Sequence, residues 1–335
     1  MRRREFIYLI GGSAAATWPA RVRAQQPGKF FRIAIVHASA PVAEMMTDTG
    51  SPRFIALFKE LRRLGYVEGQ NVVFERYSGA GQNYSSELAN EVVRHKPDLI
   101  LTTSSRWALN FKAATTAIPI VGLMADPVAF GVVDSLAHPG GNITGISTDA
   151  GPEIWSKRLE LLRDVVPRTS RAGFLASRFG WETPFAVDLR VAAERMGISL
   201  IGPPLDAPLL EAEYRRVFDA MLQGRADALI VSDAPEHFTY RKLIVELAAT
   251  SGLPAIYPYR EQAEVGGLMA YAPDLLDVYR RAAGYVDQIL KGTKAGEMPI
   301  YLPVKFDLVV NMKAAKAIGL TIPPTLLAHA DEVID

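Results

Sequence analysis

Hydroxyl, carboxylate, cationic and aromatic side chains follow the ends of several short apolar segments of this chain. The candidate ligand-contacting residues are Ser39, Thr103, Ser104 and Asp126 in the first half, and Arg178, Trp181, Thr183, Asp233 and Tyr259 in the second half. Ser and Thr hydroxyls beside free backbone N–H groups suit a carboxylate. Asp233 suits an ammonium group, and Trp181 or Tyr259 suits an apolar or aromatic body. Together these side chains predict a site for a zwitterion.

The same positions have a second interpretation that the sequence leaves open. Ser and Thr directly after a strand are ordinary N-caps of the next helix. Asp233 could equally be such a cap. The types of these side chains therefore allow ligand contact without requiring it.

Enzymatic and metal-binding signatures are missing from the chain. It contains no G-x-x-x-x-G-K-[ST] phosphate loop, no complete dinucleotide fingerprint and no G-x-S-x-G nucleophile motif. The five histidines, at positions 37, 95, 138, 237 and 329, lack the i,i+4 spacing of a metal site, and the chain has no cysteine. We therefore expect no catalytic residue, no metal ligand set and no cofactor.

Short apolar runs alternate with amphipathic segments and predict the elements that position these residues. In the first half the predicted strands are Ile33–Val36, Val72–Phe74, Leu99–Leu101, Ile118–Val121 and Ile143–Ile146, with helices near Phe54–Leu64 and Tyr84–Val93. Strands and helices in alternation indicate βαβ units and parallel sheets.

The order of these runs recurs in the second half of the chain. Gly173–Ala176, Asp227–Val231 and Leu253–Tyr257 repeat the first, third and fourth strands of the first half. We therefore predict two similar α/β lobes with Rossmann-like parallel sheets, while one large doubly wound sheet is the alternative. Ligands bind beyond the carboxyl ends of parallel strands, so the two sets of post-strand loops should face each other across a cleft.

The first residues have the three parts of a secretory leader. Arg2, Arg3 and Arg4 precede an uncharged stretch from Phe6 to Trp18, which is too short to span a membrane, and Val22-Arg23-Ala24 fits a signal peptidase site. We predict a signal peptide over residues 1–24, with twin-arginine and general export both open. No later apolar window is long enough to span, so we expect no stable membrane insertion.

Charge and length restrict the function classes further. The chain of 335 residues carries 37 Lys+Arg and 36 Asp+Glu, and removal of the Arg-rich leader leaves an acidic protein. An acidic surface does not attract nucleic acid, so no nucleic-acid partner is expected. A chain of this length commonly divides into two domains.

Several long stretches resemble a known family. They are LGYVEGQNVVFERYSGAGQ, ATTAIPIVGLMADPVAFGVVDSLAHPGGNITGIS, KRLELLRDVVP, GGLMAYAPDLLDVYRRAAGYVDQILKG and AKAIGLTIPPTLLAHADEVI. These stretches are similar to the substrate-binding proteins of ABC transporters of the tryptophan/tyrosine type, which are exported. The resemblance covers nearly all of the chain after the leader.

The resemblance implies the type I periplasmic-binding fold, with two lobes joined by a three-segment hinge. The expected lobes are 31–145 plus 273–300 and 146–272 plus 301–335, with crossings near 145–149, 270–273 and 299–303. The implied function is capture of an amino acid or an aromatic or carboxylate compound in the periplasm, by a monomer that delivers it to an ABC permease and its ATPase subunit. A catalytic role is not implied.

One loop departs from the family pattern and keeps the ligand open. Many relatives carry an Asn-Pro-rich loop where this chain has residues 177–183, which include Arg178 and Trp181. These residues favour an aromatic acid, an acylated compound or a larger anion. A periplasmic sensing module that feeds a membrane receptor is the alternative function. An α/β enzyme is disfavoured by the missing catalytic set, and a repressor by the leader that occupies the N-terminus.

Overall fold

The computed structural model describes residues 29–81, 84–148 and 153–335. The predicted leader, residues 1–24, lies outside these ranges. Within them, the chain forms two separate α/β lobes, each built on one sheet. The alternative prediction of one large doubly wound sheet is therefore wrong.

The first lobe contains a five-stranded sheet in the order β2-β1-β3-β4-β5, with all neighbouring strands parallel. Its strands are β1 (Phe31–His37), β2 (Val72–Ser78), β3 (Leu99–Thr102), β4 (Ile120–Met124) and β5 (Ile143–Ser147). The connecting helices are α1 (Pro52–Arg63), α2 (Ser86–Arg94) and α3 (Ser105–Ala114). β3, β4 and β5 are buried along their whole length, as expected for strands covered on both faces.

The second lobe begins with α4 (Glu153–Val165). Its next strands are β6 (Arg171–Leu175), β7 (Ser199–Ile201), β8 (Ala228–Val231), β9 (Ala255–Tyr257) and β10 (Met269–Ala272). Its next helices are α5 (Arg178–Glu182), α6 (Pro184–Arg195), α7 (Glu211–Gln223), α8 (Pro235–Thr239), α9 (Arg241–Thr250) and α10 (Arg260–Glu264).

After β10 the chain returns to the first lobe and then to the second. Helix α11 (Leu275–Leu290) packs on α1, and the strands and helices that follow are β11 (Asp307–Asn311), α12 (Met312–Ala317), α13 (Pro324–His329) and β12 (Glu332–Ile334). The second sheet has the order β12-β11-β10-β9-β8-β6-β7. β11 runs antiparallel to β10, which departs from the purely parallel sheets predicted from the sequence.

The apolar spacing of α1 explains why α11 belongs to the first lobe. Phe54, Leu57, Phe58 and Leu61 recur at helical spacing and are all buried. They share one core cluster with apolar residues of α11, and the rings of Phe54 and Tyr279 meet edge to face at 5.2 Å. The first lobe is therefore completed by a helix that lies far along the chain.

Hydrogen bonds tie together two of the segments that run between the lobes. Ser147 N donates to Tyr301 O at 2.8 Å, and Tyr301 N donates to Gly145 O at 3.0 Å. Gly145 has a φ of +149°, and a Cβ there would lie 1.9 Å from the carbonyl oxygen of Gly122. Only glycine fits this point, where the chain is about to leave the first sheet.

Candidate ligand-binding site

A cavity of about 760 Å³ lies between the lobes, where loops at the carboxyl ends of strands from both sheets face each other. The first lobe lines it with the loop after β1, residues 79–81, Tyr84 and the start of α3. The second lobe lines it with the loops after β6, β8 and β9 and with residues 205–210. This volume falls in the range of pockets that take small organic molecules.

His37 shapes the loop after β1. Its Nδ1 accepts hydrogen bonds from the backbone N–H groups of Ser39 (3.1 Å) and Ala40 (2.8 Å). Burial, and secondarily the positive charge of Arg53, hold the pKa of His37 well below its usual value. The neutral ring therefore carries its proton on Nε2, and its Nδ1 holds the loop in place by accepting both hydrogen bonds.

The start of α3 supplies hydroxyl groups and one cation. Ser104 Oγ caps the helix by accepting from Arg106 N at 3.1 Å, and Ser105 Oγ donates to Ala125 O at 2.7 Å. Thr103 Oγ1 accepts from Ala38 N at 3.4 Å. The first turn of a helix favours negative charge, so this part of the cavity suits an anionic group.

The Arg106 guanidinium lies between two aromatic rings. It is 4.0 Å from the centroid of Tyr84, in its own lobe, and 4.8 Å from that of Phe179, in the second lobe. Arg106 forms no ion pair within 4.0 Å with a carboxylate of the described residues. These contacts with aromatic rings do not use hydrogen bonds, so the N–H groups of the guanidinium can hold an oxyanion.

Asp233 supplies the corresponding carboxylate on the second lobe. Its Oδ2 is buried and has no hydrogen-bond partner among the described residues. Burial raises the pKa of Asp233, while the nearby Arg158 charge acts in the opposite direction. Tyr259 OH donates to Asp233 O at 2.8 Å and fixes the backbone of the loop. A buried carboxylate oxygen in a cavity wall favours a ligand group that donates hydrogen bonds.

A second carboxylate joins the lobes. Tyr84 OH donates to Glu236 Oε1 at 3.0 Å across the cleft. Burial raises the pKa of Glu236, and burial followed by the Glu236 charge holds the pKa of Tyr84 well above its usual value. Both side chains line the cavity, but this hydrogen bond uses the Tyr84 hydroxyl group for contact between the lobes.

The family model for ABC transporter substrate binding proteins matches residues 54–334. This chain belongs to that family. The resemblance predicted from the sequence is therefore confirmed, and family membership identifies the protein as a solute-binding protein without enzymatic activity.

Relatives and solved structures are consistent with this assignment. The tyrosine-binding protein of Clostridioides difficile (strain R20291) is 23% identical over 265 residues, which are 78% of this chain and 75% of that protein. A conserved domain protein from Vibrio cholerae is 24% identical with a TM-score of 0.79, and a Streptococcus pneumoniae ABC domain in complex with L-Trp is 22% identical with a TM-score of 0.78. Both solved structures cover 91% of this chain and are themselves covered completely. The prediction of two α/β lobes of the type I periplasmic-binding fold is confirmed.

The cavity of this substrate-binding protein brings together most of the residues predicted from the sequence. Ser39, Thr103, Ser104, Arg178, Asp233 and Tyr259 all line it. Arg178 is less available than expected, because its Nε donates to Asp206 Oδ1 at 2.8 Å. The Ser39 hydroxyl donates to Pro235 O at 2.8 Å, so its hydrogen atom contacts the opposite lobe.

Asp126, Trp181 and Thr183 lie outside the cavity lining. Asp126 Oδ1 accepts from Ala129 N at 3.0 Å and organises the turn after β4. Trp181 packs into the core of the second lobe, with its ring 5.0 Å from that of Phe174. Thr183 Oγ1 donates to Gly180 O at 2.7 Å and is buried where α5 ends and α6 begins. We therefore leave these three residues out of the site.

Several side chains that line the cavity were not predicted from the sequence. They are Arg53, Tyr84, Arg106, Phe130, Phe179 and Glu236. Arg106 and Glu236 lie only two or three residues beyond nominated positions, so extending the site by one helical turn past those positions would have included them. Phe130 and Phe179 stack across the cleft at 5.5 Å, and this contact depends on how the lobes meet.

No group of three or more His, Cys, Asp or Glu residues among the described residues has the arrangement of a metal site. No helix in the described ranges is long and apolar enough to cross a membrane.

Proposed function

We propose that this protein is the periplasmic solute-binding component of an ABC importer. It would capture a small organic solute in the cavity between its lobes and deliver it to a membrane permease, whose ATPase subunit drives translocation. The observation that carries this proposal is the cavity itself. Loops of both lobes line it, and one lining residue is Asp233, whose buried Oδ2 has no hydrogen-bond partner among the described residues.

The lining favours an amino acid or an aromatic carboxylate compound as the solute. Asp233 would accept hydrogen bonds from an ammonium group, and the N–H edge of Arg106 with the first turn of α3 would hold a carboxylate. The rings of Phe179 and Phe130 would contact an apolar or aromatic body. The streptococcal structure that contains L-Trp and the tyrosine-binding relative support an aromatic amino acid as the first compound to test.

Capture would involve closure of two lobes about three crossings of the chain. We place the lobes at residues 31–145 plus 273–300 and 146–272 plus 301–335. The crossings lie near residues 145–149, 270–273 and 299–303. Opening at these segments would admit the solute, and closure would present a distinct shape to the permease.

Export would place the protein in the periplasm, where it meets its solute. We propose that it acts there as a monomer. We propose that residues 1–24 are removed and that the exported chain begins at Gln25. Mass spectrometry of protein released by osmotic shock would check this site. A released form that keeps residues 1–24 would contradict the proposed cleavage, and a protein that stays in the cytoplasm would contradict the proposed localisation.

The proposed function is tested by a thermal-shift screen of the purified protein. The panel contains amino acids, aromatic acids, short-chain acids, nucleosides and sugars at millimolar concentration. A solute at about 1,000 times its dissociation constant stabilises the folded state by about 4 kcal/mol, which raises Tm by roughly 5 to 10 °C. We expect the largest shift with an aromatic zwitterion. The absence of a Tm shift with every compound of the panel would contradict solute capture.

A positive compound then tests the transport step. Uptake of that compound, isotopically labelled, should fall in cells that lack the gene and should recover with the wild-type protein. Unchanged uptake would leave solute binding intact but would contradict the importer role.

A further inference from the structure

Residues along the short helix α8 contact the first lobe. Ser39 Oγ donates to Pro235 O at 2.8 Å, and Thr239 Oγ1 donates to Ser39 Oγ at 3.0 Å. The Ser39 hydroxyl group therefore links both ends of α8 to the loop after β1. This pair of hydrogen bonds crosses the cleft without needing a solute.

The middle of α8 makes two more contacts across the cleft. Glu236 accepts the hydrogen bond from Tyr84, and the ring of Phe238 lies 3.7 Å from the centre of the Arg53 guanidinium. Arg53 belongs to α1, and its side chain is only 5% exposed. A cation held this far from water gains more from an aromatic face than an exposed cation does.

We propose that α8 is a clasp that holds the two lobes closed over the cavity. Its contacts are made between protein groups, so they stabilise the closed arrangement whether or not a solute is bound. The proposal rests on the function proposed above, because it concerns closure of the same cavity. It also assigns Ser39 to closure rather than to solute contact.

The position of α8 connects the clasp to the solute. Asp233 lies two residues before the helix, and its backbone oxygen accepts a hydrogen bond from Tyr259. A solute that binds Asp233 therefore contacts the loop that leads directly into the clasp. Ligand and clasp favour the same arrangement, so solute binding should increase a closed population that already exists.

The clasp can be tested by measuring the distance between the lobes. Because the chain has no cysteine, Glu87→Cys on α2 and Asp219→Cys on α7 allow spin labelling at two exposed positions without background. Double electron–electron resonance without added solute then gives the fraction of molecules whose label separation matches the closed structure. We expect the wild-type protein to populate this separation.

The test variants remove one contact each. Tyr84→Phe should lower the closed-to-open ratio roughly tenfold, since it deletes a hydrogen bond to a buried carboxylate, and Glu236→Gln should lower it less, because an amide oxygen still accepts from the Tyr84 hydroxyl group. The double variant should fall no further than Tyr84→Phe, because both changes affect one bond. Phe238→Leu should lower the ratio through Arg53. The matched control is Tyr77→Phe, whose hydroxyl donates to Glu75 within the first lobe.

Two results would overturn the clasp. One is a wild-type protein that shows only longer separations without solute, and the other is a set of variants that behave like the control. Either result would leave the thermal-shift screen untouched, so failure of the clasp is distinguishable from failure of the proposed function.

Discussion

The polar side chains of the cavity wall differ in whether they already have a hydrogen-bond partner within the protein. Arg178 is paired with Asp206 and Ser39 with Pro235, whereas Oδ2 of Asp233 has no hydrogen-bond partner among the described residues. The sequence could place Asp233 and Tyr259 in the wall, because strand ends are readable from apolar runs. It could not show that Arg178 forms an ion pair with Asp206, since that contact depends on the position of the loop after β7.

The central prediction at this scale concerns Asp233. Asp233→Ala should weaken binding of the solute identified in the screen by about 2 to 5 kcal/mol, as expected when one partner of a buried charge pair is removed. Titration calorimetry measures the change. Asp188→Ala on α6 is the control, because Asp188 is an exposed carboxylate outside the cavity lining. Equal affinities for the wild-type protein and Asp233→Ala would remove Asp233 from the site.

A second residue-scale prediction concerns acid stability. Burial lowers the pKa of His237 to about 4, while the unfolded chain has a value near 6.5. Between these values the unfolded state binds more protons, so the free energy of unfolding should fall as the pH drops from 7 to 4. His237 alone should contribute on the order of 3 kcal/mol to this loss.

Urea unfolding at pH 7 and pH 4.5 checks this expectation. His237→Gln should lose less stability between the two pH values than the wild-type protein does. His138→Gln, a change at an exposed position, should retain the wild-type difference. A wild-type protein that is equally stable at both pH values would show that His237 does not act in this way.

Among the elements, the strands of the first lobe were predicted more completely than those of the second lobe. β1, β3 and β5 each contain the predicted run, and β4 begins two residues later than predicted because Ile118 and Pro119 precede the sheet. β10 and β11 were not predicted as strands, and neither were β7 and β12, the three-residue strands at the two edges of the second sheet. Such short strands carry little periodic signal, and their pairing partners are set by tertiary structure.

The close approach of β4 and β5 at Gly145 predicts that a larger residue there destabilises the protein. Gly145→Ala should destabilise the protein by about 3 kcal/mol or more, because the added Cβ would collide with the Gly122 carbonyl in the β4–β5 pair. Chemical denaturation measures the change. Gly284→Ala is the matched control, since nothing lies within 4 Å of a Cβ there. Within α11 that change should stabilise by up to about 1 kcal/mol. Equal stability of the two variants would contradict the strain assigned to Gly145.

At the scale of the whole molecule, the cavity depends on two lobes that meet at several side-chain contacts. Alternation of strands and helices and the repeat of their order predicted the lobes and their facing loops. The sequence could not show which side chains cross the cleft. Phe130 reaches Phe179, and Arg53 reaches Phe238, only after both lobes have folded and approached.

We propose that one small solute binds in the cavity between the lobes. Titration calorimetry tests it most directly, with the best compound from the screen and with a variant that obstructs the cavity. Ala80 is exposed and lines the cavity, whereas Ala117 is exposed and lies elsewhere. We predict one solute per chain, a loss of affinity of roughly tenfold or more in Ala80→Trp, and unchanged affinity in Ala117→Trp. Equal affinity in all three proteins would contradict solute binding in this cavity.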